Sequence, residues 1–262
     1  MEKKTKNLVI GGIGGVVSRT CVAPLERLKI LYQTKNTFSN RTYFNNFFHI
    51  IKNEGYSSLF SGNGINCLRI MPKSAIQYST FRYCNELFNN KFLAGGLAGL
   101  LTSISVYPLE TIRTRLSVDS KKTFLNVTKD IFKNYGFKGY YRGLDICLLG
   151  CVPLYAINFG LFNYFQDKLG GNKPINNFIA GSFSILGALC IAFPSDLIKH
   201  RMQIRGEYNL PPYKNWVQCG KHVVKTQGFR GLYSGFTADC IKMFPANGIF
   251  FVVVNYLNTK FK

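Results

Sequence analysis

The sequence predicts an all-α membrane protein with six long helices, arranged as three tandem repeats around a polar cavity. Three observations lead to this fold class: glycine-punctuated apolar segments, a proline-centred motif that occurs three times, and charges in the middle of apolar segments. The chain has 262 residues, of which 47% are apolar and only 17% are charged. Such a chain can bury a large core, so intrinsic disorder is disfavoured.

The motif P-x-[DE]-x-x-[KR] defines the repeats. Its three prolines are 84 and 86 residues apart, and small residues precede them at matching offsets. Two glycines seven residues apart then recur, and another proline follows the second glycine by ten residues. These equal offsets indicate three copies of one unit within a single domain, 1–262. The motif prolines are Pro24, Pro108 and Pro194, and the repeats are 1–88, 89–171 and 172–262.

Each repeat contains two long apolar segments with a short amphipathic segment between them. The long segments are 8–34, 64–88, 91–117, 143–168, 175–205 and 236–259, and the short ones are about 44–53, 124–134 and 215–226. None of the long segments offers ~20 strictly apolar residues, the usual signal of a membrane span. Mid-segment charges such as Arg19, Arg69 and Lys242 indicate helices that face a water-filled cavity. A soluble helical repeat is disfavoured, since each clustered glycine costs a helix about 1 kcal/mol relative to alanine.

The formal net charge of +21 implies an anionic partner. A nucleic-acid-binding face would not be apolar and glycine-punctuated over membrane length, so no nucleic-acid partner is expected. We attribute part of the surplus to an anionic lipid such as cardiolipin. No Ser/His/Asp or Cys/His set recurs. We therefore expect that the protein is not an enzyme and that it has no metal or cofactor site. The eight cysteines include no CxxC pair and are predicted to be free and mostly buried. The N-terminus lacks a small-residue cleavage site, so no removed signal peptide is expected.

Together, P-L-E-R-L-K (24–29), P-L-E-T-I-R (108–113) and P-S-D-L-I-K (194–199), each followed by [FY]-x-G, resemble the mitochondrial carrier family. The resemblance covers essentially the whole chain. It implies six transmembrane helices in threefold pseudo-symmetry in the mitochondrial inner membrane, with three short helices on the matrix side. It also implies a monomer, termini toward the intermembrane space and alternating access to one central site.

By this resemblance, the motif charges form a gate on the matrix side. The motif prolines kink their helices and bring three helix ends together. A buried ion pair contributes little net stability because desolvation offsets the attraction, which suits a gate that must open. The implied pairs are Glu26–Arg113, Glu110–Lys199 and Asp196–Lys29, with Gln33 and Gln203 bracing them from beneath.

The opposite gate departs from the family pattern, [FY]-[DE]-x-x-[KR], near the end of each even-numbered helix. The acid positions are occupied by Arg82, Asn163 and Asn255, so no carboxylate stands at any of them. We therefore expect a weak gate on the intermembrane-space side and a resting state that is closed on the matrix side.

The resemblance also implies a substrate site. Three residues before Pro72, Pro153 and Pro245 lie the positions that the family uses as substrate contacts. With neighbouring candidates, the predicted contacts are Arg19, Arg69, Gln77, Gly150, Cys151 and Lys242. Three cations suit a multiply charged phosphate, which arginine binds bidentately and lysine binds as a point charge. The Gly-Cys pair resembles the ring contact of adenine-nucleotide-type carriers, although a glycine on a membrane helix is equally often a packing residue.

The expected substrate is coenzyme A or a related adenosine phosphate, carried by exchange. RIMPKSAIQY (69–78) resembles the coenzyme A branch, whereas SRTCVAPLERLKILYQ (18–33) fits that branch and ATP-Mg/phosphate carriers alike. LIKHRMQIR (197–205) lacks the RRRMMM stretch of an ADP/ATP exchanger, and no calcium-binding loop precedes the first repeat. The alternatives are ATP-Mg/phosphate or other nucleotide exchange, thiamine pyrophosphate transport, and a transport-inactive membrane scaffold.

Overall fold

A computed structural model describes residues 2–35, 43–169, 174–207 and 210–260, which form ten α-helices and no strand. The first repeat contains α1 (Glu2–Thr34), α2 (Tyr43–Glu54), α3 (Asn63–Leu68) and α4 (Ile70–Phe88). The second contains α5 (Lys91–Val118), α6 (Phe124–Tyr135) and α7 (Leu144–Lys168). The third contains α8 (Pro174–Gln203), α9 (Trp216–Gln227) and α10 (Phe236–Lys260). The order of long helix, short helix and long helix occurs three times, which confirms the predicted all-α fold of three repeats.

The recurring glycine pairs flank a short 3-10 turn in each repeat. The turns are Tyr56–Phe60, Phe137–Tyr141 and Phe229–Tyr233. All six flanking glycines have a positive φ, between 62° and 87°, which glycine adopts without steric cost. At Gly62 the space is also closed, because an added Cβ would lie 2.7 Å from Ser117 Oγ. The seven-residue spacing in the sequence therefore marks the entry and exit of one turn.

The short helices bury one face against the preceding long helix. In the first repeat, Leu28, Leu31 and Tyr32 of α1 pack with Ile50 of α2 and with Leu59. In the second, the equivalent contacts join α5 to α6 through the cluster Ile112, Leu116, Val127, Ile131 and Tyr140. Burial of apolar side chains at helical spacing holds each short helix in place.

The motif prolines lie inside helices, with Pro24 in α1, Pro108 in α5 and Pro194 in α8. Each removes one backbone donor from its helix. In the first repeat, α3 ends at Leu68 and α4 begins at Ile70, near Pro72, whereas the equivalent Pro153 and Pro245 lie inside the continuous helices α7 and α10.

Within the described ranges, three segments are long and apolar enough to cross a membrane: Phe137–Lys168, Ile175–Gln203 and Phe229–Lys260. They contain α7, α10 and all of α8 except its first residue. Apolar side chains are exposed along these helices, for example Val152 at 67% and Val252 at 69%. In a membrane protein such side chains face lipid.

The chain divides into two compact units. Unit 1 comprises Met1–Tyr141 and Thr237–Lys262, and unit 2 comprises Arg142–Phe236. In unit 2, the ring of Phe193 on α8 stacks on that of Tyr233, with centroids 6.2 Å apart, and meets Phe236 edge-on.

All eight cysteines are free, as predicted, but the expectation that they are mostly buried is wrong. Cys84 and Cys219 are buried, Cys21 and Cys190 are exposed, and the others are half-buried. Burial raises the pKa of the Cys219 thiol, on the short helix α9, to about 12.

An ion pair joins three elements of unit 1. The guanidinium of Arg27 donates from Nη2 to Glu54 Oε2 at 2.5 Å and from Nε to the carbonyl of Ser117 at 3.0 Å. Ser120 Oγ also donates to Glu54 Oε2, at 2.7 Å. Burial on its own raises the pKa of Glu54, but the hydrogen bonds from Arg27 and Ser120 outweigh it and hold the pKa below the usual carboxyl range.

We expect Glu54→Gln to lower thermal stability at neutral pH, because it leaves the buried Arg27 without its carboxylate partner. A lowered pKa means that the charged Glu54 stabilises the fold above the unfolded carboxyl pKa, about 4.3. That contribution begins to fall below this value and is lost as pH falls through the lower pKa that Glu54 has in the folded protein. Melting temperatures of wild type and Glu54→Gln should therefore differ at pH 7 and converge as the pH is lowered below the unfolded carboxyl pKa.

The control for this prediction is Glu86→Gln, which breaks an exposed i,i+4 pair with Arg82. Exposed pairs contribute about 0–1 kcal/mol, so little change is expected at any pH. A difference between wild type and Glu54→Gln that is constant with pH would contradict the prediction.

Candidate functional site

A cavity of about 750 Å³ lies in unit 1 between α1, α4 and α10. Its walls are largely apolar, with Met71 of α4 and Phe250 of α10 among them. The α1 wall begins at Gly11 and reaches Glu26, which lies about 22 Å further along a helix that rises 1.5 Å per residue. The polar side chains that line the cavity are Ser18, Arg19, Glu26, Ser74, Lys242 and Asn247.

Glycine on α1 opens the cavity. A Cβ added at Gly11 would meet nothing within 4 Å, whereas one at Gly12 would lie 3.5 Å from Met71 Cε. At Gly15 it would lie 3.4 Å from Ile70 Cδ1. The small residues therefore leave room on the cavity side of α1 and let α4 approach closely at the next turn.

Two buried carboxylates link three cations at the charged part of the cavity. Lys242 Nζ lies 3.2 Å from Glu26 Oε1 and 2.7 Å from Asp239 Oδ1. Glu26 Oε1 also pairs with Arg113 Nη2 at 2.7 Å, and Asp239 Oδ2 pairs with Lys29 Nζ at 2.8 Å. Each carboxylate thus holds Lys242 and one further cation.

The network continues through an amide. Asn66 Nδ2 donates to Glu26 Oε2 at 3.5 Å, and Asn66 Oδ1 accepts from Arg69 Nη2 at 3.3 Å. Arg69 Nη1 then lies 3.2 Å from Glu110 Oε2. Asn66 therefore connects the Glu26 cluster to a second ion pair.

The predicted substrate contacts fall in different places. Arg19 and Lys242 line the cavity, and Arg69 is paired with Glu110 in the adjoining network. Gln77 is exposed on α4. Gly150 and Cys151 are half-buried on α7, in unit 2.

Gly150 lies against α8 within unit 2. A Cβ added there would lie 2.2 Å from Ser195 Oγ and 2.8 Å from Ser195 Cβ. Ser195 Oγ donates to the carbonyl of Ala192 at 2.6 Å, so it is held in that position. Close packing of α7 on α8 is therefore a sufficient reason for glycine at position 150, independent of any ligand.

The structure brings together one predicted gate pair, Glu26 with Arg113. Lys29 contacts Asp239, and Asp196 contacts Lys199 on its own helix at 2.8 Å. The pairs Glu110–Lys199 and Asp196–Lys29 each join residues of different units and stay predictions. Gln33 and Gln203, the predicted braces, are both fully buried.

At the positions of the opposite gate, the described contacts are local. Arg82 Nε donates to Glu86 Oε1 at 3.0 Å on the same helix. Gln166 stands at the basic position of the pattern in the second repeat, and its Nε2 donates to Asn177 Oδ1 at 3.1 Å, which joins α7 to the next helix, α8. The expectation of a weak gate stays a prediction.

Sequence reasoning missed Asp239 and Asn66. Both carried a signal in their position, three residues before a predicted contact. Asp239 precedes Lys242 and Asn66 precedes Arg69 by this spacing. The equivalent residue in the second repeat is Cys147, three residues before Gly150. An aspartate one helical turn from a lysine in an apolar helix is expensive to bury unless the two are paired.

Comparison with known proteins gives matches along the whole chain. The family model described as "Mitochondrial carrier protein" matches residues 2–92, 88–173 and 170–262. The calcium-binding mitochondrial carrier protein SCaMC-2 of Xenopus laevis is 31% identical over 98% of this chain and 55% of the relative. The mitochondrial adenyl nucleotide antiporter SLC25A24-A of the same species is 30% identical over 96% of this chain and 58% of the relative.

Another relative is similar in length. The mitochondrial substrate carrier family protein P of Dictyostelium discoideum is 31% identical over 96% of this chain and 92% of the relative. The chain therefore spans little more than half of the two Xenopus relatives and nearly all of this one.

Proposed function

Because this chain belongs to the mitochondrial carrier family, we propose that it exchanges an anionic adenosine phosphate across the mitochondrial inner membrane. Membership makes it a transporter rather than an enzyme. The observation that carries the proposal is the cavity in unit 1, where Arg19 and Lys242 lie among largely apolar walls.

The chemistry of the cavity fits this class of substrate. Its volume, about 750 Å³, is within the 300–1,000 Å³ common for small-molecule sites. Arginine offers a planar fork of donors to a phosphate, and lysine offers a point charge. Apolar walls formed by side chains such as Met71 and Phe250 suit a flat ring. Gly150 and Cys151, on α7, stay proposed contacts for the ring.

The relatives bear on the choice of substrate. One is named as an adenyl nucleotide antiporter, which favours a nucleotide for this chain over a substrate without adenine. Coenzyme A contains an adenosine phosphate and is our finer proposal. Two alternatives remain, transport of thiamine pyrophosphate and a scaffold that transports nothing. Uptake assays distinguish both from nucleotide exchange.

The family also supports the rest of the arrangement that we propose. The termini face the intermembrane space, and the short helices α2, α6 and α9 lie on the matrix side. The three motif pairs close that side, and an anionic lipid such as cardiolipin binds the monomer.

Uptake into liposomes tests the proposal. Purified full-length protein is reconstituted with internal ADP, and uptake of labelled ATP, coenzyme A and thiamine pyrophosphate is measured separately. Arg19→Gln removes a cavity cation. Arg230→Gln is the matched control, because it removes the same charge from an exposed position in the turn Phe229–Tyr233, outside the cavity and both gates.

The expected result is uptake of ATP or coenzyme A that falls in Arg19→Gln and persists in Arg230→Gln. The preferred compound of the two identifies the branch. Uptake of thiamine pyrophosphate alone would show that the ring of the substrate is not adenine. Folded protein with no uptake of any of the three would contradict the proposal and favour the scaffold.

A further inference from the structure

We propose that Asp239 limits the negative charge of the anion that the cavity accepts, because its carboxylate competes with the anion for Lys242. This inference deepens the proposed function. It rests on that function in one respect, namely that Lys242 contacts the transported anion. Asp239 acts through Lys242 and is therefore a positioning residue rather than a direct contact.

The geometry places Asp239 behind the cavity wall. Its relative exposure is 3%, and the residue is buried on α10 one turn before Lys242. Lys242 lines the cavity and reaches Asp239 Oδ1 at 2.7 Å. An anion in the cavity therefore meets an ammonium group that already has a carboxylate partner.

The contacts of Lys242 allow an exchange of partners. An ammonium group has three donors. If it turns to a phosphate, Asp239 keeps its contact with Lys29, and Glu26 keeps its contact with Arg113. No buried carboxylate loses its last described cation, so the exchange avoids the large cost of an uncompensated buried charge.

The charges in this cluster set the preference. The cluster has one net positive charge, because it contains three cations and two carboxylates. The cations are Lys29, Lys242 and Arg113, and the carboxylates are Glu26 and Asp239. Neutralising Asp239 leaves two positive charges and removes a competitor for Lys242. The cavity should then favour an anion of higher charge.

The test uses the purified full chain in detergent and three probes without adenine: orthophosphate, pyrophosphate and tripolyphosphate. Binding is read as the rise in melting temperature with probe concentration, which gives a dissociation constant. From the interaction of two charges at close range, we expect Asp239→Asn to bind tripolyphosphate about tenfold more tightly than wild type. Orthophosphate should gain much less, and Asp239→Glu, which keeps the charge, should follow wild type.

Several outcomes would overturn the inference. Equal dissociation constants in wild type and Asp239→Asn across the series would show that Asp239 does not compete. A wild type that binds none of the three probes would show that Lys242 does not serve a phosphate site. If Asp239→Glu behaved like Asp239→Asn, packing rather than charge would be responsible.

A second variant covers the case in which Asp239→Asn does not fold. The double variant Asp239→Asn/Lys29→Gln removes one charge of each sign, so the net charge of the cluster stays the same. Lys242 loses its contact with the Asp239 carboxylate and keeps only the one with Glu26. The double variant should still gain affinity for tripolyphosphate, and a wild-type affinity would overturn the inference. Because the probes lack adenine, a failure to transport nucleotides would overturn the proposed substrate while leaving a positive result here intact.

Discussion

Lys242→Gln is expected to reduce the uptake of the transported adenosine phosphate by about 10- to 100-fold, the range for losing a charge-assisted contact of 1.5–3 kcal/mol. The substitution removes the ammonium that joins the cavity to both carboxylates. The fold should survive, since Glu26 retains Arg113 and Asp239 retains Lys29. Initial uptake rates in liposomes, measured over a range of substrate concentrations, check this expectation.

The matched control is Lys221→Gln, an exposed lysine on the short helix α9. It removes the same charge at a position outside the cavity and should transport like wild type. If Lys242→Gln transported as well as Lys221→Gln, the cavity in unit 1 would not be the substrate site.

Gly150→Ala is expected to lower the melting temperature whether or not a substrate is present. The new methyl group would overlap Ser195 Oγ, at 2.2 Å, and Ser195 Cβ, at 2.8 Å. Overpacking of this kind costs about 1–3 kcal/mol, because α7 must move away from α8. Thermal unfolding of the purified protein in detergent measures the loss.

Gly160→Ala, on the same helix, is the control. A Cβ there meets nothing within 4 Å, and alanine is a better helix former by about 1 kcal/mol. Its melting temperature should match or exceed that of wild type. Restoration of stability by the double variant Gly150→Ala/Ser195→Gly would identify the contact. A Gly150→Ala protein of normal stability that has lost transport would instead support a ligand contact at this position.

The helices could be predicted from the sequence because their signals are local. Apolar periodicity predicted α2, α6 and α9 to within a few residues, and the seven-residue glycine spacing marked turns that require positive φ. The first long segment was predicted from 8, whereas α1 begins at Glu2, because the charged residues that precede the apolar run continue the same helix.

The site was less predictable because it depends on which side chains meet after packing. The motif predicted an ion pair between Glu26 and Arg113, and the two residues are in contact. It did not reveal that Lys29 lies beside Asp239, since a residue on α1 and one on α10 share no local pattern. The position of Gly150 against Ser195 likewise depends on how closely α7 and α8 approach, which composition does not determine.

One carboxylate, that of Glu26, lines the cavity and also pairs with Arg113 of the motif. Any anion that withdraws Lys242 from Glu26 changes the free energy of the Glu26–Arg113 pair. By thermodynamic linkage, breaking that pair changes the affinity for the anion by the same factor. Anion binding in the cavity and the stability of the Glu26–Arg113 pair are therefore coupled. The dissociation constant of the anion then reports on an ion pair that the anion does not contact.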